Sequence, residues 1–293
     1  MRRSLAFAAL VLVGAVPAGD RVARADEAPA PAPPSSGPPW LGISMDAGTD
    51  VGVRVEHVVR GAPAERAGLR VGDRIVTVGG TKVTLAAHVT REVTARKVGD
   101  RLELEVERQG TPLTVAVVLA MRPAPDAVLK MDLVGAPAPA FARVTPLTGA
   151  PSALSDLRGR VVLLDFWASF CGPCKLIAPR LSALRDKLGP QGLAVIGVTT
   201  DEPERAAVAA ERFKMRYPVV VDGVADTSKA YGITSLPTLV LVDKSGVVRD
   251  VFVGFDPGGE ARLESVVRGL LAEPAPPPPS ARPSVRPAPP APR

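Results

Sequence analysis

The first long block of the chain, residues 40–122, carries the short alternating apolar runs of a small β-rich domain. Leu102, Leu104 and Val106 alternate with glutamates, as expected for a strand with one buried face. Leu85 and Val89 instead begin a series at the spacing of one helix face. The block is therefore predicted to be mostly β with two helices. Its other predicted strands lie at 40–43, 53–58, 73–80 and 113–119, and its other helix at 62–69.

The second block, residues 133–273, has longer apolar runs and a different alternation. Val161 to Leu164 form a continuous apolar run, which is typical of a strand buried on both faces. Apolar residues then recur at helical spacing from Ile177 to Leu188. Strands that alternate with helices predict an α/β domain with a central sheet flanked by helices. The remaining strands are predicted at 193–198, 217–222, 238–242 and 247–253, and the remaining helices at 202–213 and 263–270.

The segments outside the two blocks have the composition of export and linker sequences. A basic start, an apolar run from Leu5 to Val16 and small residues after it predict a secretory signal peptide at 1–25. The run is short for a membrane span, although an uncleaved anchor is the alternative. Residues 26–39 and 123–132 are predicted linkers, and a linker of this composition favours loose coupling of the two domains. The proline-rich tail at 274–293 is predicted to be disordered.

The overall composition excludes several classes of function. The formal net charge is +6, but part of it lies in the signal peptide and the tail, and no patch combines basic and aromatic residues. Nucleic acid is therefore not an expected partner. The chain has only two histidines, His57 and His88, both in the first block, so neither a Ser/His/Asp hydrolase nor a four-ligand zinc site is expected. We predict no metal and no cofactor.

The two cysteines, Cys171 and Cys174, lie where the buried strand gives way to the helix. A helix N-terminus carries unpaired N–H groups and a partial positive charge, which lower the pKa of a thiol there from about 8.5 to about 3.5–7. Cys171 is therefore the expected attacking thiolate, and Cys174 the cysteine that resolves the mixed disulfide. The alternatives are an inert disulfide, although so short a loop gains little stability, and half of a zinc site.

The run from Asp165 to Pro179 resembles the active-site segment of thioredoxin, and the likeness extends over residues 133–273. The resemblance implies a redox-active Cys171–Cys174 disulfide, a buried acid at Asp165 that moves the proton of Cys174, and a cis Leu236–Pro237 bond that faces the sulfurs. It also assigns supporting roles to Trp167, Gly172, Pro173 and Leu236.

A narrower resemblance is to exported, membrane-tethered thioredoxin relatives, including those of cytochrome maturation. It is carried by the segments 134–141 and 155–159 and by the insert after Val198. Two positions depart from thioredoxin. Phe170 replaces a tryptophan before Cys171, and Gly197 stands where a lysine would pair with the buried acid. Without that lysine, burial is expected to raise the pKa of Asp165 further.

The first block resembles the PDZ domains of exported proteases. Such a domain is a partly open β barrel with two helices, and its carboxylate-binding loop lets a peptide add as a strand beside it. By this resemblance Leu41, Gly42 and Ile43 hold the carboxylate of a peptide or protein C-terminus. The likeness is carried by Trp40-Leu41-Gly42-Ile43, Gly61-Ala62-Pro63-Ala64, Ala67-Gly68-Leu69 and Gly72-Asp73-Arg74-Ile75.

The sequence thus predicts an exported, periplasmic or secreted thiol-disulfide oxidoreductase that reduces or isomerises disulfides of exported proteins. A membrane thiol-reducing donor would supply its electrons, and the PDZ domain would bind a peptide. The main alternative is a PDZ-based binding or scaffold protein with a non-essential redox domain. A thiol peroxidase would need a threonine where Ala168 stands, and copper delivery would need a histidine that residues 133–273 lack.

Overall fold

Two separate sheets organise the part of the chain that the structure, a computed structural model, describes: residues 37–147, 149–254 and 258–275. The predicted signal peptide, nearly all of the first linker and most of the tail lie outside these residues. The first sheet belongs to the PDZ-like block and the second to the thioredoxin-like block, which confirms the predicted multidomain architecture.

The first domain is a sheet with strand order β2-β3-β4-β6-β7, in which β5 pairs with β4, and with a separate β1–β8 pair. Alternate residues of β6, among them Leu102 and Leu104, enter one apolar core with Val89 and Val93 of α2, as the sequence periodicities predict. The elements are β1 (Pro39–Trp40), β2 (Ile43–Met45), β3 (Val53–Val58), α1 (Pro63–Arg66), β4 (Arg74–Val78), β5 (Thr81–Lys82), α2 (Ala86–Thr94), β6 (Arg101–Arg108), β7 (Thr111–Val118) and β8 (Ala120–Met121).

The prediction of one strand over residues 40–43 was wrong, because a turn at Leu41 and Gly42 separates β1 from β2. Gly42 has φ +83°, a conformation that glycine adopts without strain. A Cβ at this position would lie 2.1 Å from the Cβ of Ala62. Gly42 is therefore required both by the turn and by the close approach of the segment before α1.

The second domain is a mixed six-stranded sheet with the order β14-β13-β10-β11-β12-β9. Its central strand, β10, pairs in parallel with β11 and antiparallel with β13, and all seven of its residues are buried. Helices α4 and α7 contribute to the core on one face of the sheet, and α3 contributes to a second apolar cluster. The elements are α3 (Pro125–Leu133), β9 (Thr145–Leu147), β10 (Val161–Trp167), α4 (Gly172–Leu188), β11 (Leu193–Thr199), α5 (Pro203–Arg212), β12 (Val219–Val221), α6 (Asp226–Ala230), β13 (Thr238–Val242), β14 (Val248–Val253) and α7 (Gly259–Ala272).

The predicted linker at 123–132 is mostly helix. Proline occupies the first position of α3, where its missing N–H costs nothing, and Leu129 and Leu133 pack into the core of the second domain. Arg60 of the first domain donates from Nε to the carbonyl of Asp132 at 2.6 Å and from Nη2 to that of Val134 at 2.6 Å. The segment is thus held by contacts on both sides.

Candidate active site

The two cysteines form a disulfide at the junction of β10 and α4, with their Cα atoms 5.3 Å apart. Cys171 is the N-cap of α4, and its Sγ accepts a hydrogen bond from the backbone N–H of Cys174 at 3.2 Å. Cys171 is 7% exposed and Cys174 is 1% exposed. A substrate approaching from solvent therefore meets the sulfur of Cys171 first.

The start of α4 is arranged to favour a negatively charged sulfur. The first turn contains no acidic residue, and Pro173 needs no hydrogen-bond acceptor there. Once the disulfide is reduced, the N–H of Cys174 and the positive end of the helix both stabilise a thiolate on Cys171.

A buried carboxylate that the sequence analysis missed fixes the loop before Cys171. Asp201 is 8% exposed and accepts hydrogen bonds from the backbone N–H of Ser169 at 2.6 Å and from its hydroxyl at 3.0 Å. Arg212 donates to the carbonyl of Ser169 at 2.7 Å. These bonds link the loop to the end of β11 and to α5, and no spacing motif in the sequence signals them.

The bond between Leu236 and Pro237 is cis, as the resemblance to thioredoxin implied. Pro237 is buried, and Leu236 packs against the apolar cluster that contains Trp167, Cys171 and Cys174. Residues that the sequence separates by more than sixty positions thus come together at one end of the sheet.

Asp165 is fully buried in β10, and its Oδ2 accepts a hydrogen bond from the hydroxyl of Tyr217 at 2.7 Å. Burial raises the pKa of Asp165 to about 7, although the Tyr217 hydrogen bond acts in the opposite direction. Among the described residues, Oδ1 of Asp165 has no hydrogen-bond partner. The carboxyl group can therefore exchange a proton near neutral pH.

The ring of Trp167 lies against Gly197, the residue of β11 that pairs with Asp165. The ring of Trp167 is 1% exposed and meets Phe213 edge-on, with ring centroids 5.7 Å apart. A Cβ on Gly197 would lie 2.9 Å from Nε1 of Trp167, closer than real contacts allow. With the Trp167 ring in this position, residue 197 has no room for a lysine side chain, and glycine fits.

The surface around the cysteines is apolar and open. Phe170, directly before Cys171, is 82% exposed, and Leu176 on the first turns of α4 is 57% exposed. Gly172 and Pro173 between the cysteines are also exposed. Large exposed apolar residues that cluster in this way mark a surface suited to binding another protein.

In the first domain, Leu41 and Gly42 form the turn between β1 and β2, and Ile43 is the first residue of β2. The carbonyls of Leu41 and Gly42 accept backbone hydrogen bonds from Ala64 and Val59, both at 2.9 Å, which hold the turn in place. Strand β2 lies at the edge of the described sheet and pairs only with β3 within it. Its other edge can accept an added strand.

The described part of the chain contains neither a cluster of metal-binding side chains nor a membrane-spanning helix. Residues 37–147, 149–254 and 258–275 hold no group of three or more His, Cys, Asp or Glu side chains that could bind a metal ion. Within the same ranges, no helix is both long enough and apolar enough to cross a membrane.

A disulfide at the end of the central strand of a thioredoxin-like sheet, preceded by a PDZ-like sheet, defines a two-domain thiol redox protein. The family model described as Redoxin matches residues 133–267, and the one described as PDZ domain matches residues 39–119. The thiol-disulfide oxidoreductases ResA of Geobacillus kaustophilus and Geobacillus thermodenitrificans are 37% and 36% identical to the chain over 122 residues, which is 41% of this chain and 70% of each relative. The chain belongs to this redoxin family of thiol-disulfide oxidoreductases.

The crystal structure of the thioredoxin domain of a thiol-disulfide oxidoreductase from Bacteroides vulgatus is 30% identical to the chain and aligns with a TM-score of 0.41. The alignment covers 46% of this chain and 97% of that one.

Proposed function

We propose that this oxidoreductase is an exported enzyme that reduces or isomerises disulfides in exported proteins through Cys171 and Cys174, while its PDZ domain binds a peptide or a protein C-terminus. The observation that carries the proposal is the disulfide at the N-terminus of α4, with Cys171 as its more exposed sulfur and Asp165 buried in the adjoining strand.

In the proposed reaction, the Cys171 thiolate attacks one sulfur of a substrate disulfide, and a mixed disulfide forms as the first substrate thiolate leaves. Cys174 then gives its proton to the Asp165 carboxylate and attacks Sγ of Cys171. The second substrate thiolate leaves, so the substrate gains two electrons and the Cys171–Cys174 disulfide reforms. Pro237 and Leu236 would line the surface where the substrate chain lies, with Trp167, Gly172 and Pro173 supporting the cysteines.

The enzyme must then recover two electrons. In an oxidising exported compartment they would come from a membrane thiol-reducing donor, which reverses the exchange at the same pair of cysteines. The basic, then apolar N-terminal sequence supports export, and an uncleaved N-terminal anchor is the alternative arrangement.

The proposed peptide site consists of Leu41 and Gly42 in the turn before β2, Ile43 at the start of β2, and the open edge of that strand. Backbone N–H groups of the turn would bind a terminal carboxylate, and the peptide would pair with β2. The positive φ of Gly42 supports this role, because it allows the tight turn that such a loop needs.

The test is the reduction potential of the Cys171–Cys174 pair, followed by Trp167 fluorescence in a Trp40→Phe chain that lacks the only other tryptophan. A potential of about −250 mV or lower would identify a reductant, and one of about −150 mV or higher an oxidase or isomerase. Cys171→Ser should abolish disulfide exchange, whereas Cys174→Ser should trap mixed disulfides. A Cys171→Ser chain with full activity in cells would favour the PDZ-based binding protein instead.

A further inference from the structure

Tyr217 is a buried residue whose hydroxyl reaches the carboxyl group of Asp165. Its side chain is 4% exposed, and the hydroxyl donates to Oδ2 of Asp165 at 2.7 Å. Burial, together with the nearby carboxylate, raises the pKa of Tyr217 well above its usual value, so the group remains a neutral donor. It can support a carboxylate without supplying a charge.

The strand register explains how Tyr217, which lies just before β12, reaches Asp165 in β10. Asp165 of β10 pairs with Gly197 of β11, and the backbone N–H of Gly197 donates to the carbonyl of Pro218, next to Tyr217, at 2.8 Å. Gly197 has no side chain, so nothing from β11 occupies the space on the face where the Trp167 ring lies.

The two oxygens of Asp165 have different surroundings. Oδ2 is held by Tyr217, whereas Oδ1 is buried and has no hydrogen-bond partner among the described residues. The register partners of Asp165, Gly197 and Leu239, carry no charge. A buried carboxylate oxygen without a donor is costly, which is why such atoms call for a functional explanation.

We propose that Tyr217 is a positioning residue: it holds Asp165 through Oδ2, so that Oδ1 is the atom that takes the proton of Cys174. This inference rests on the proposed function. The proton leaves the Cys174 thiol and bonds to Oδ1, and the resulting Cys174 thiolate attacks Sγ of Cys171 in the mixed disulfide. The substrate thiolate leaves, and Asp165 later returns its proton to solvent.

The direction of the effect follows from the hydrogen bond. The Tyr217 hydroxyl stabilises the ionised form of Asp165, so its removal raises the pKa of the acid further above 7. At neutral pH more of Asp165 is then already protonated and cannot accept a proton. The step that depends on it should slow, and its pH midpoint should move upward.

The experiment compares Tyr217→Phe with Tyr231→Phe, the other tyrosine of the chain. Tyr231 is equally buried, but its hydroxyl donates to the carbonyl of Pro139 at 2.8 Å. The reduced proteins are mixed with glutathione disulfide at pH 5 to 9, and the attack by Cys171 and the resolution by Cys174 are followed as separate phases. Tyr217→Phe should leave the first phase unchanged and slow the second at pH 7 by roughly tenfold, the size expected for a lost hydrogen bond to a charged group.

The pH dependence separates positioning from a loss of stability. In Tyr217→Phe the midpoint of the second phase should rise, and the difference from the unsubstituted chain should vanish at high pH, where Cys174 ionises without help. Tyr231→Phe should change neither the rate nor the midpoint. An unchanged midpoint in Tyr217→Phe would overturn the proposal.

A second measurement does not depend on activity or on how Tyr217→Phe folds. The chain has only two tyrosines, so 3-fluorotyrosine in a Tyr231→Phe background labels Tyr217 alone. Its ¹⁹F resonance in the oxidised protein should titrate near pH 7 with Asp165 and should not titrate in an Asp165→Asn chain. A resonance that is unaffected by Asp165→Asn would also overturn the proposal.

Failure of this inference can be distinguished from failure of the proposed function. If Asp165→Asn slows resolution but Tyr217→Phe does not, only the role of Tyr217 is lost. If Asp165→Asn resolves as fast as the unsubstituted chain, the proposed acid is wrong. If the unsubstituted chain does not react with glutathione disulfide at all, the proposed function itself fails.

Discussion

Two almost completely buried aspartates, Asp73 in the PDZ domain at 1% exposure and Asp165 in the thioredoxin-like domain at 0%, have different partners. Burial by itself raises the pKa of both. For Asp73 this effect is outweighed by the hydrogen bonds from Arg108 at 2.7 and 2.8 Å and from the backbone of Arg70, so its pKa lies below the usual value. Asp165 has only the neutral donor Tyr217, and its pKa is about 7.

The difference shows that burial does not by itself make a carboxyl group a site of proton transfer. A buried carboxylate with a paired guanidinium stays ionised and joins parts of the structure, here β6 and the turn before β4. Asp165 has no cation beside it, and its carboxyl group titrates near neutral pH. Between these two aspartates, the charge of the partner therefore decides the direction in which the pKa moves.

The largest expected effect comes from removing the cation of the structural pair. Arg108→Ala leaves Asp73 buried and without its guanidinium, which should destabilise the PDZ domain by about 4 kcal/mol. Urea unfolding followed by Trp40 fluorescence in a Trp167→Phe chain measures this domain separately. Arg91→Ala, which removes an exposed pair with Glu92, is the control and should cost less than about 1 kcal/mol. Equal losses in the two variants would contradict the comparison.

The second effect has the opposite sign. Because the folded-state pKa of Asp165 is raised to about 7, folding is favoured below the unfolded value and loses stability as pH rises from about 4 through 7. Asp165→Asn removes this loss and should stabilise the thioredoxin-like domain at pH 8 by up to roughly 4 kcal/mol, since each of the about three pKa units is worth about 1.4 kcal/mol. Unfolding followed by Trp167 fluorescence in a Trp40→Phe chain checks it.

The pH dependence is the control for this second prediction. At pH 4 Asp165 is protonated in the folded state, so Asp165→Asn should bring little gain there. An equal gain at pH 4 and pH 8 would show that packing, rather than a buried charge, causes the stabilisation.

Asp201 is another buried carboxylate, and it holds the loop before Cys171. Asp201 is held by three neutral groups, the N–H and hydroxyl of Ser169 and the hydroxyl of Thr199 at 3.1 Å. Asp201→Ala leaves the partly buried N–H of Ser169 without its acceptor and should destabilise the domain by about 2 kcal/mol. Ser169→Ala, which removes only the hydroxyl bond, should cost about half as much. Urea unfolding of both variants tests the order, and a larger loss in Ser169→Ala would contradict it.

The sequence predicted those features of the site that depend on local order. The apolar run of β10 and the cysteines at the start of α4 follow from neighbouring residues, whereas the buried acid at Asp165 followed from family resemblance. The cis bond before Pro237 followed from family resemblance. Tyr217 and Asp201 were not predicted as site residues, because their contacts arise from strand register between segments far apart in the chain.

The segment between the domains shows the same limit. The proline and alanine content of residues 123–132 favoured a linker, and the apolar residues there were too few to predict a helix. The helix forms because Leu129 and Leu133 pack on the second domain and because Arg60 caps the carbonyls at its end. Both partners come from outside the segment, so local propensity could not predict them.

The smallest expected effect on stability concerns the contact between Asp132 of α3 and His57. Asp132 accepts hydrogen bonds from the backbone of Arg60 at 3.1 Å and shares one with Nε2 of His57 at 2.7 Å. The Asp132 hydrogen bond raises the pKa of His57 above 6.5. The stabilisation is therefore fully present below about pH 6.5 and is lost as pH rises through the raised value. The His57 side chain is half exposed, so solvent screening limits the contribution to less than about 1 kcal/mol.

An NMR titration of His57 in the unsubstituted chain and in Asp132→Asn tests this contact directly. The midpoint of His57 should fall in Asp132→Asn, because an amide cannot stabilise the imidazolium as a carboxylate does. His88, whose Nδ1 lies 3.4 Å from the Thr84 backbone nitrogen instead, is the internal control. If Asp132→Asn leaves the His57 midpoint unchanged, Asp132 does not bond His57 in solution. The capped helix would then be held by Arg60 and by its leucines alone.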